Sequence, residues 1–448
     1  MSTNLNEEVR NKWKPILEGV DADGDSLGLG PALTGAKANI TARLLENTEK
    51  FGSTGGDPEA LNMTQIFEAS GAAPTTGVAG VQNYDPVLIS LIRRTTPNLM
   101  AYDIAGVQPM NGPTGLIFAI TPRYTNQTGS IAWFNEPNTG HSTITAGNTT
   151  IGQAANNVGT TPSGNSSNYN FAGGMSTAQA EALGSSGNAD FREMSFSIEK
   201  VSVTAKSRAL KALYSQELAQ DLKAVHGLDA ETELSSILTT EILAEMNREM
   251  VRTIYVTATT GAANTTTAGT FDLDVDANGR WSVEKFKGLL FQIEMECNAV
   301  AKATRRGKGN ILICSSNVAS ALMMAGVLDY APALNANNGL NVDDTGNTFV
   351  GVLNGRIKVF IDPYASSEYF VVGYKGPNNY DSGIFWTPYI PLQMVRAVNP
   401  DSFQPAIGFK TRYGIVANPL SNGATNSDGT LVQNTNVFYR RIAVSNIF

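Results

Sequence analysis

An α+β fold is predicted by three features of this chain: a long amphipathic helix near its middle, a patterned strand feeding that helix, and a succession of strands after it. The helix is read from Leu234, Ile237, Leu238, Ile242, Met246, Met250 and Ile254, which recur at three- and four-residue steps and define one helix over 229–255. Its ends agree. Asp229 is the N-cap, Glu231 and Glu233 occupy the first turn, and Arg248 and Arg252 are placed in the last, complementing the helix dipole. Upstream, Phe196 and Ile198 alternate with polar residues, then Val201, Val203 and Ala205 alternate in the opposite phase, which predicts a β-bulge at Glu199-Lys200. Downstream, GVLNGRIKVFID sets Asn354-Gly355, the preferred two-residue hairpin turn, between apolar runs. EYFVVGYKG, GIFWTPYIPLQMV, AIGFKTRYGIVA and FYRRIAV follow as further strands.

From the N-terminus, residues 1–68 differ from the rest. Leu5, Val9 and Trp13 recur every fourth residue and Ile40 with Leu44 repeats the step, so two short amphipathic helices flank VDADGDSLGLG. Eleven acidic residues against six basic ones give this segment net −5 of the chain's −8. Ile66 to Ala73 follows a short apolar pair with small residues, and alone it reads as an accessible, solvated linker. Val87 to Phe118 alternates apolar runs with turns at Pro97, Pro109 and Pro113, as an extended arm and strand would, with a short helix at its start. Residues 125–190 are rich in Asn, Gly, Thr and Ser, with Glu136, Glu181 and Asp190 as the only formal charges. They form a long insertion between a strand ending near Arg123 and one beginning near Met194, which together make an extended hairpin. SQELAQDLKAV reads as a short helix closed by Gly227 after His226. Trp281 to Ala303 is a further helix, Asn310 to Cys314 a buried strand, and Asn317 to Ala325 a helix.

Composition restricts the function. A chain of 448 residues exceeds one compact core, so two or more packed units are expected. With 16% charged residues, the profile suits a β-rich protein that buries surface against copies of itself. A net charge of −8 argues against gripping nucleic acid, which needs clustered Lys and Arg to displace counterions. A wall that encloses nucleic acid has the opposite need. Cys297 and Cys314 have neither metal-ligand spacing nor the density of a disulfide scaffold, and they point to a reducing compartment. Glu7, Glu8 and Arg10 stand where a signal peptide needs an apolar core, and no apolar run reaches membrane-spanning length, so neither secretion nor insertion is expected.

No catalytic set emerges. His141 lies in the polar insertion and His226 at a helix end, with no Ser or Cys motif to match. Asp274, Asp276, Asn278 and Gly279 imitate positions one, three, five and six of a calcium loop, but position twelve is Lys285, with Glu284 one residue short, so a polar turn is the better reading. Asp21, Asp23 and Asp25 repeat the spacing with Ser26 in the glycine position. Arg305-Arg306-Gly307-Lys308 reads as a solvated turn, and Arg93-Arg94 as ion-pair donors.

Arg93 to Phe118, Met194 to Ile254 and the C-terminal VGYKGP, FQPAIGFKTRYGI and FYRR together resemble the major capsid proteins of T-even-type tailed bacteriophages and their cyanophage relatives, with Asn11-Lys12-Trp13-Lys14-Pro15 adding to the likeness. The resemblance implies the HK97-like fold. Its parts would be a scaffold-facing propeptide (1–68), an N-arm (69–106), an extended loop (107–210) carrying the insertion 125–190, a peripheral domain (211–280) with the spine helix 229–255, and an axial domain plus returning peripheral strands (281–448). The family's prohead protease cuts after Glu in an Ile/Leu-x-Glu pattern. Ile66-Phe67-Glu68 followed by Ala69 matches it, so cleavage is expected between Glu68 and Ala69, leaving −3 on the remainder.

The resemblance also implies no enzymatic activity and no cofactor or metal. It implies self-assembly into hexameric capsomers of an icosahedral head around double-stranded DNA, in the host cytoplasm, with scaffold, protease, portal and vertex protein as partners. Leu234, Ile237, Leu238, Ile242 and Met246 would form the assembly face of the spine. The insertion departs from the T-even pattern, being shorter and nearly uncharged where those proteins carry a domain that reaches a neighbour. Two alternatives stand beside this reading: a pentameric vertex protein of the same fold, and a secreted calcium-binding β protein resting on Asp274 to Gly279 and the Asn/Thr-rich insertion.

Overall fold

The structure is a computed structural model that describes residues 7, 9–18, 33–53, 99–132, 137, 141–142, 174–185, 190–277, 279, 281–325, 328–330, 348–399, 404–423 and 428–447. Near the N-terminus, α1 (Lys14–Glu18) and α2 (Gly35–Ser53) pack together through Leu17, Ala38, Ala42 and Leu45, with Trp13 beside them. Then come α3 (Ala101–Ile104), β1 (Gly106–Val107) and β2 (Thr114–Tyr124), the short α4 (Thr177–Glu181), and β3 (Met194–Thr204). β4 (Lys206–Leu213) leads into α5 (Gln216–His226) and the 28-residue α6 (Ala230–Thr257). β5 (Ala258–Thr260), β6 (Thr270–Asp272), α7 (Ser282–Thr304), β7 (Ile311–Ser315), α8 (Ser316–Met324) and β8 (Leu328–Tyr330) follow. The chain closes with β9 (Thr348–Leu353), β10 (Ile357–Asp362), β11 (Tyr369–Gly373), β12 (Ile384–Val398), β13 (Pro405–Ala417) and β14 (Asn436–Ser445).

These strands make two sheets and a ribbon. One sheet has the order β1-β12-β13-β4, and the other runs β5-β14-β11-β7-β10-β9-β8 with β6 beside β14. Among the named strands β2 and β3 pair only with each other, with one further bridge from Arg123 of β2 to Ile131. The centre of the larger sheet is buried on both faces, which is why β7 and β11 read as unbroken apolar runs rather than alternating ones. Ile311, Ile313, Tyr369 and Val371 turn toward α6, while Leu312, Cys314, Phe370 and Val372 turn toward α7 and α8. α6 packs against β4 and β13 of one sheet and β14 of the other, so a single core joins both.

Local signals act as the sequence suggests at several points. The Asp229 side chain accepts from the Glu231 N–H, and Gly227 closes α5 in the left-handed conformation, with φ of 68°. Asn354 and Gly355 take φ of 52° and 65°, as the mirror-image hairpin turn requires.

Three expectations change. α6 continues through Thr257, so Arg248 and Arg252 stand inside it rather than in its last turn, and Arg248 is engaged with Asp362 instead of the helix end. The buried stripe runs through Leu238, Ile242, Met246, Met250 and Ile254, with Leu243 and Val251 beside it, whereas Leu234 is half-buried and Ile237 is 62% exposed. No bulge interrupts β3: its register with β2 is continuous from Thr114 opposite Thr204 to Tyr124 opposite Met194.

Candidate assembly surfaces

The phase change in β3 that mimics a bulge has another cause. Side chains alternate across the ribbon, so Leu116, Phe118 and Ile120 share a face with Met194, Phe196 and Ile198. All six are exposed, from 51% to 61%. The opposite face carries Ile117, Val201 and Val203, which pack on Met110, Phe385 and Val416 of the body. Further out that same face turns polar. Arg123 Nε donates to Ser197 Oγ at 2.8 Å and its Nη2 lies 3.3 Å from Glu199, while the hydroxyls of Thr121 and Ser197 are 2.6 Å apart. One face is therefore satisfied within the chain and the other presents an apolar stripe to solvent. A stripe of this kind marks an interaction surface.

The long helix α6 is locked to both sheets by charge as well as by packing. Arg208 of β4 reaches Glu245 and Glu249, each at 2.7 Å, and Glu249 also accepts from the Tyr413 hydroxyl of β13. On the other side Arg248 pairs with the fully buried Asp362 of β10, whose second oxygen accepts from Tyr369 Oη at 2.5 Å. Burial pushes the Asp362 carboxyl up, but Arg248, Tyr369 and the Tyr364 N–H together hold it below the ordinary carboxylate range. Around the α5–α6 junction Leu213, Leu218, Val225, Leu228 and Ile237 are exposed. Of the five spine residues expected at an assembly face, only Ile237 lies open to a neighbour, while Leu238, Ile242 and Met246 are in the chain's own core.

The N-terminal helix α2 also enters that core. Ile40 and Leu44 join α6 and β12 there, and buried Asn47 donates through Nδ2 to the carbonyls of Met110 and Tyr389, at 2.7 and 3.1 Å. Burying the two aliphatic side chains contributes about 1.5–3 kcal/mol each before entropy is charged, and each hydrogen bond about 0.5–1.5 kcal/mol. Ile66, Glu68 and Ala69, the expected processing residues, lie outside the described residues.

Other candidates resolve into structure. Asp276 accepts from the Thr266 N–H and hydroxyl, both at 2.9 Å, and from the Asp272 N–H at 3.0 Å, while Lys285 pairs with Asp274. An ammonium thus stands on the first carboxylate of the calcium-like loop, and Asn278 lies outside the described residues. Among the described residues no group of three or more His, Cys, Asp or Glu is placed to hold a metal. The His141 ring lies tilted against Tyr124, with centroids 4.6 Å apart, and bonds the Glu193 carbonyl. Arg306 pairs with Asp381 at 2.9 Å and Lys308 with Glu294, so the basic cluster has local partners. Cys297 and Cys314 are buried thiols, pushed up to about 12 by burial. No helix among the described residues is long and apolar enough to cross a membrane.

A family model described as Major capsid protein Gp23 matches residues 81–444. The chain belongs to this family. The major capsid protein of Serratia phage KSP90 is 40% identical over 463 residues, covering 99% of both chains, so a member with this overall length is not isolated. The capsid vertex protein of Enterobacteria phage T4 is 28% identical over 269 residues, covering 56% of this chain and 58% of its own. Among solved structures, the capsid of Myoviridae phage XM1 superposes with a TM-score of 0.37 at 10% identity, over 76% of this chain and 89% of that one. As a major capsid protein, the chain is a component of a phage head. The α+β class expected of the family is present in its ribbon, long helix and two sheets.

Proposed function

We propose that this capsid protein is the hexamer-forming shell subunit, and that the apolar face of the β2–β3 ribbon docks on a neighbouring copy. The exposed row of Leu116, Phe118, Ile120, Met194, Phe196 and Ile198 carries this reading, because such a row is left uncovered by the described residues of its own chain. Individual contacts need not be strong, since each subunit meets several neighbours and closure of the shell multiplies them. Residues 69–106 serve as the N-arm, the β2–β3 ribbon with its insertion as the extended loop, α6 as the spine of a peripheral domain, and the eight-stranded sheet as the axial domain. Cleavage after Glu68 matures the head within the host cytoplasm. Removing the net −5 segment leaves −3 on the wall. Double-stranded DNA is enclosed rather than bound. Scaffold, prohead protease, portal and vertex protein complete the set of partners.

Electron microscopy of the purified protein tests the assembly reading: hexamers or shells support it, and monodisperse monomers at high concentration would sink it. Intact mass of the subunit from mature particles tests the cut, with residues 69–448 expected and a full-length mass against it. The vertex-protein reading is disfavoured by the likeness, which is 40% over the full chain to a major capsid protein against 28% over half to a vertex protein. Copies per particle separate the two.

A further inference from the structure

The helix layer over one face of the eight-stranded sheet ends differently at its two sides. α7 lies over β14 and β11, and α8 lies beside it over β7, β10 and β8. Next to β14, a cleft of about 460 Å³ opens between the 264–277 segment and the outer flank of α7, with Phe271, Ala277, Gly288, Phe291 and Met295 as its apolar walls. A water occupies roughly 30 Å³, so the space suits side chains. Gly288 keeps it open: a Cβ there would lie 3.1 Å from the Ala277 Cβ. The walls are fixed before anything binds. Glu296 accepts from the Ala262 N–H at 2.8 Å, the Asn264 and Gln292 amides bond reciprocally at 3.2 and 3.1 Å, and Asp276 accepts from the Thr266 N–H. Phe291 nevertheless stands 67% exposed, although the adjacent Gln292 and Ile293 are buried. An aromatic ring left open beside a preformed apolar cleft marks a docking point.

Toward the β8 edge, α8 ends in Met323 and Met324, which are 47% and 59% exposed, while Val318, Ala319, Ala321 and Leu322 anchor the same helix in the core. Residues 316–325 carry no charge, so burying this tip strips no ion of its water. Methionine is unbranched and polarizable, fills irregular apolar space and makes favourable contacts with aromatic rings. One side of the layer is thus concave and aromatic, and the opposite side ends in two thioethers. Lying at opposite sides, they cannot meet within one chain. Two different, complementary surfaces on opposite sides of a subunit make a head-to-tail contact, which generates a ring when the rotation between copies closes. We propose that Met323 and Met324 of one copy seat in the α7 cleft of the next, joining the eight-stranded units side to side in such a ring. The proposal rests on the reading that copies of this chain assemble, and it adds a second contact to that of the ribbon. A second copy is the occupant because the chain supplies both halves of the contact.

Engineered cysteines report the contact directly. The full chain carrying Met324→Cys and Phe291→Cys together is assembled and mildly oxidised, and denaturing electrophoresis should show a ladder of linked subunits, at least tenfold more abundant than in either single variant. The native Cys297 and Cys314 are buried and out of reach of the oxidant. Linking of Met324→Cys alone or Phe291→Cys alone to the level of the double variant would reveal a two-fold pairing of like surfaces and overturn the head-to-tail contact. Linking of Phe291→Cys to Phe118→Cys in place of Met324→Cys would put the ribbon in the cleft and overturn the seating of α8. Assembled protein without a ladder overturns the proposal and leaves the assembly reading standing, whereas a wild-type chain that stays monomeric at high concentration removes both. Charge gives a second readout. Met324→Glu and Phe291→Lys, both at exposed positions, should each raise the concentration of half-assembly at least tenfold with an unchanged unfolding midpoint. The two together should recover most of that loss across the contact, and a double variant as impaired as the singles would overturn the pairing.

Discussion

At the scale of single residues, Asp362 and Lys375 carry the sharpest consequences. Asp362 is fully buried between Arg248 and Tyr369, and removing one member of a buried pair costs about 3–5 kcal/mol because the other charge is left uncompensated. Arg248 keeps 23% of its side chain in solvent, so Asp362→Asn should fall at the lower end of that range in denaturant unfolding. Because the carboxyl is held below its unfolded value, its stabilisation is present above about pH 3.9 and lost as pH falls through the folded value. The substitution should therefore flatten the acid limb of the stability profile. Lys375 has the opposite sense. Burial lowers its ammonium to about 8, with Asp103 offsetting part of the shift, so the unfolded chain binds the extra proton and stability rises between pH 8 and about 10.4. Lys375→Met should abolish that rise and stabilise the subunit at pH 7 by on the order of 3 kcal/mol at most. An unchanged slope between pH 8 and 10 would assign the rise elsewhere.

At the scale of elements, burial separates residues that serve folding from those open to assembly. Leu238 is 8% exposed in the central core, so Leu238→Asp buries an unpaired carboxylate and should prevent the subunit from folding at all. Phe118 and Ile198 are 61% and 59% exposed, so Phe118→Asp or Ile198→Asp should leave the unfolding free energy within about 0.5 kcal/mol. Particle yield should nevertheless collapse in both ribbon variants, and normal heads from either would show that this face is not an interface. The two ribbon strands also mark what was legible in the sequence. Element existence followed from periodicity at α6, from capping at Asp229 and Gly227, and from turn chemistry at Asn354-Gly355, all local signals. The bulge at Glu199-Lys200 was misread because a strand that carries apolar residues on its exposed face at one end and on its buried face at the other looks the same as a strand that slips by one residue. Ile237 was misplaced for a related reason: three-residue steps put it near the stripe, but only a tertiary partner decides where the stripe ends.

For the whole molecule, chain length pointed to two or more packed units, and two cores do form, one around α6 and one around α7 and α8. They are not independent. The strands of the eight-stranded sheet give alternate residues to each, so Val371 and Val372 serve different cores from adjacent positions. That sharing was illegible in the sequence, because an apolar run such as YFVVG does not say what covers each of its faces. A further tie crosses the molecule through α6, which contacts β13 and β14 and pairs with Asp362. Neither core can unfold while the other keeps its sheet. Unfolding of the isolated subunit should therefore be a single cooperative step, with far-ultraviolet circular dichroism and tryptophan fluorescence tracing one curve. Asp362→Asn should displace both probes to the same lower midpoint, since it loosens the spine from the sheet that both cores use. Separate midpoints for the two probes, or a shift in one alone, would show that the sheet does not couple the cores.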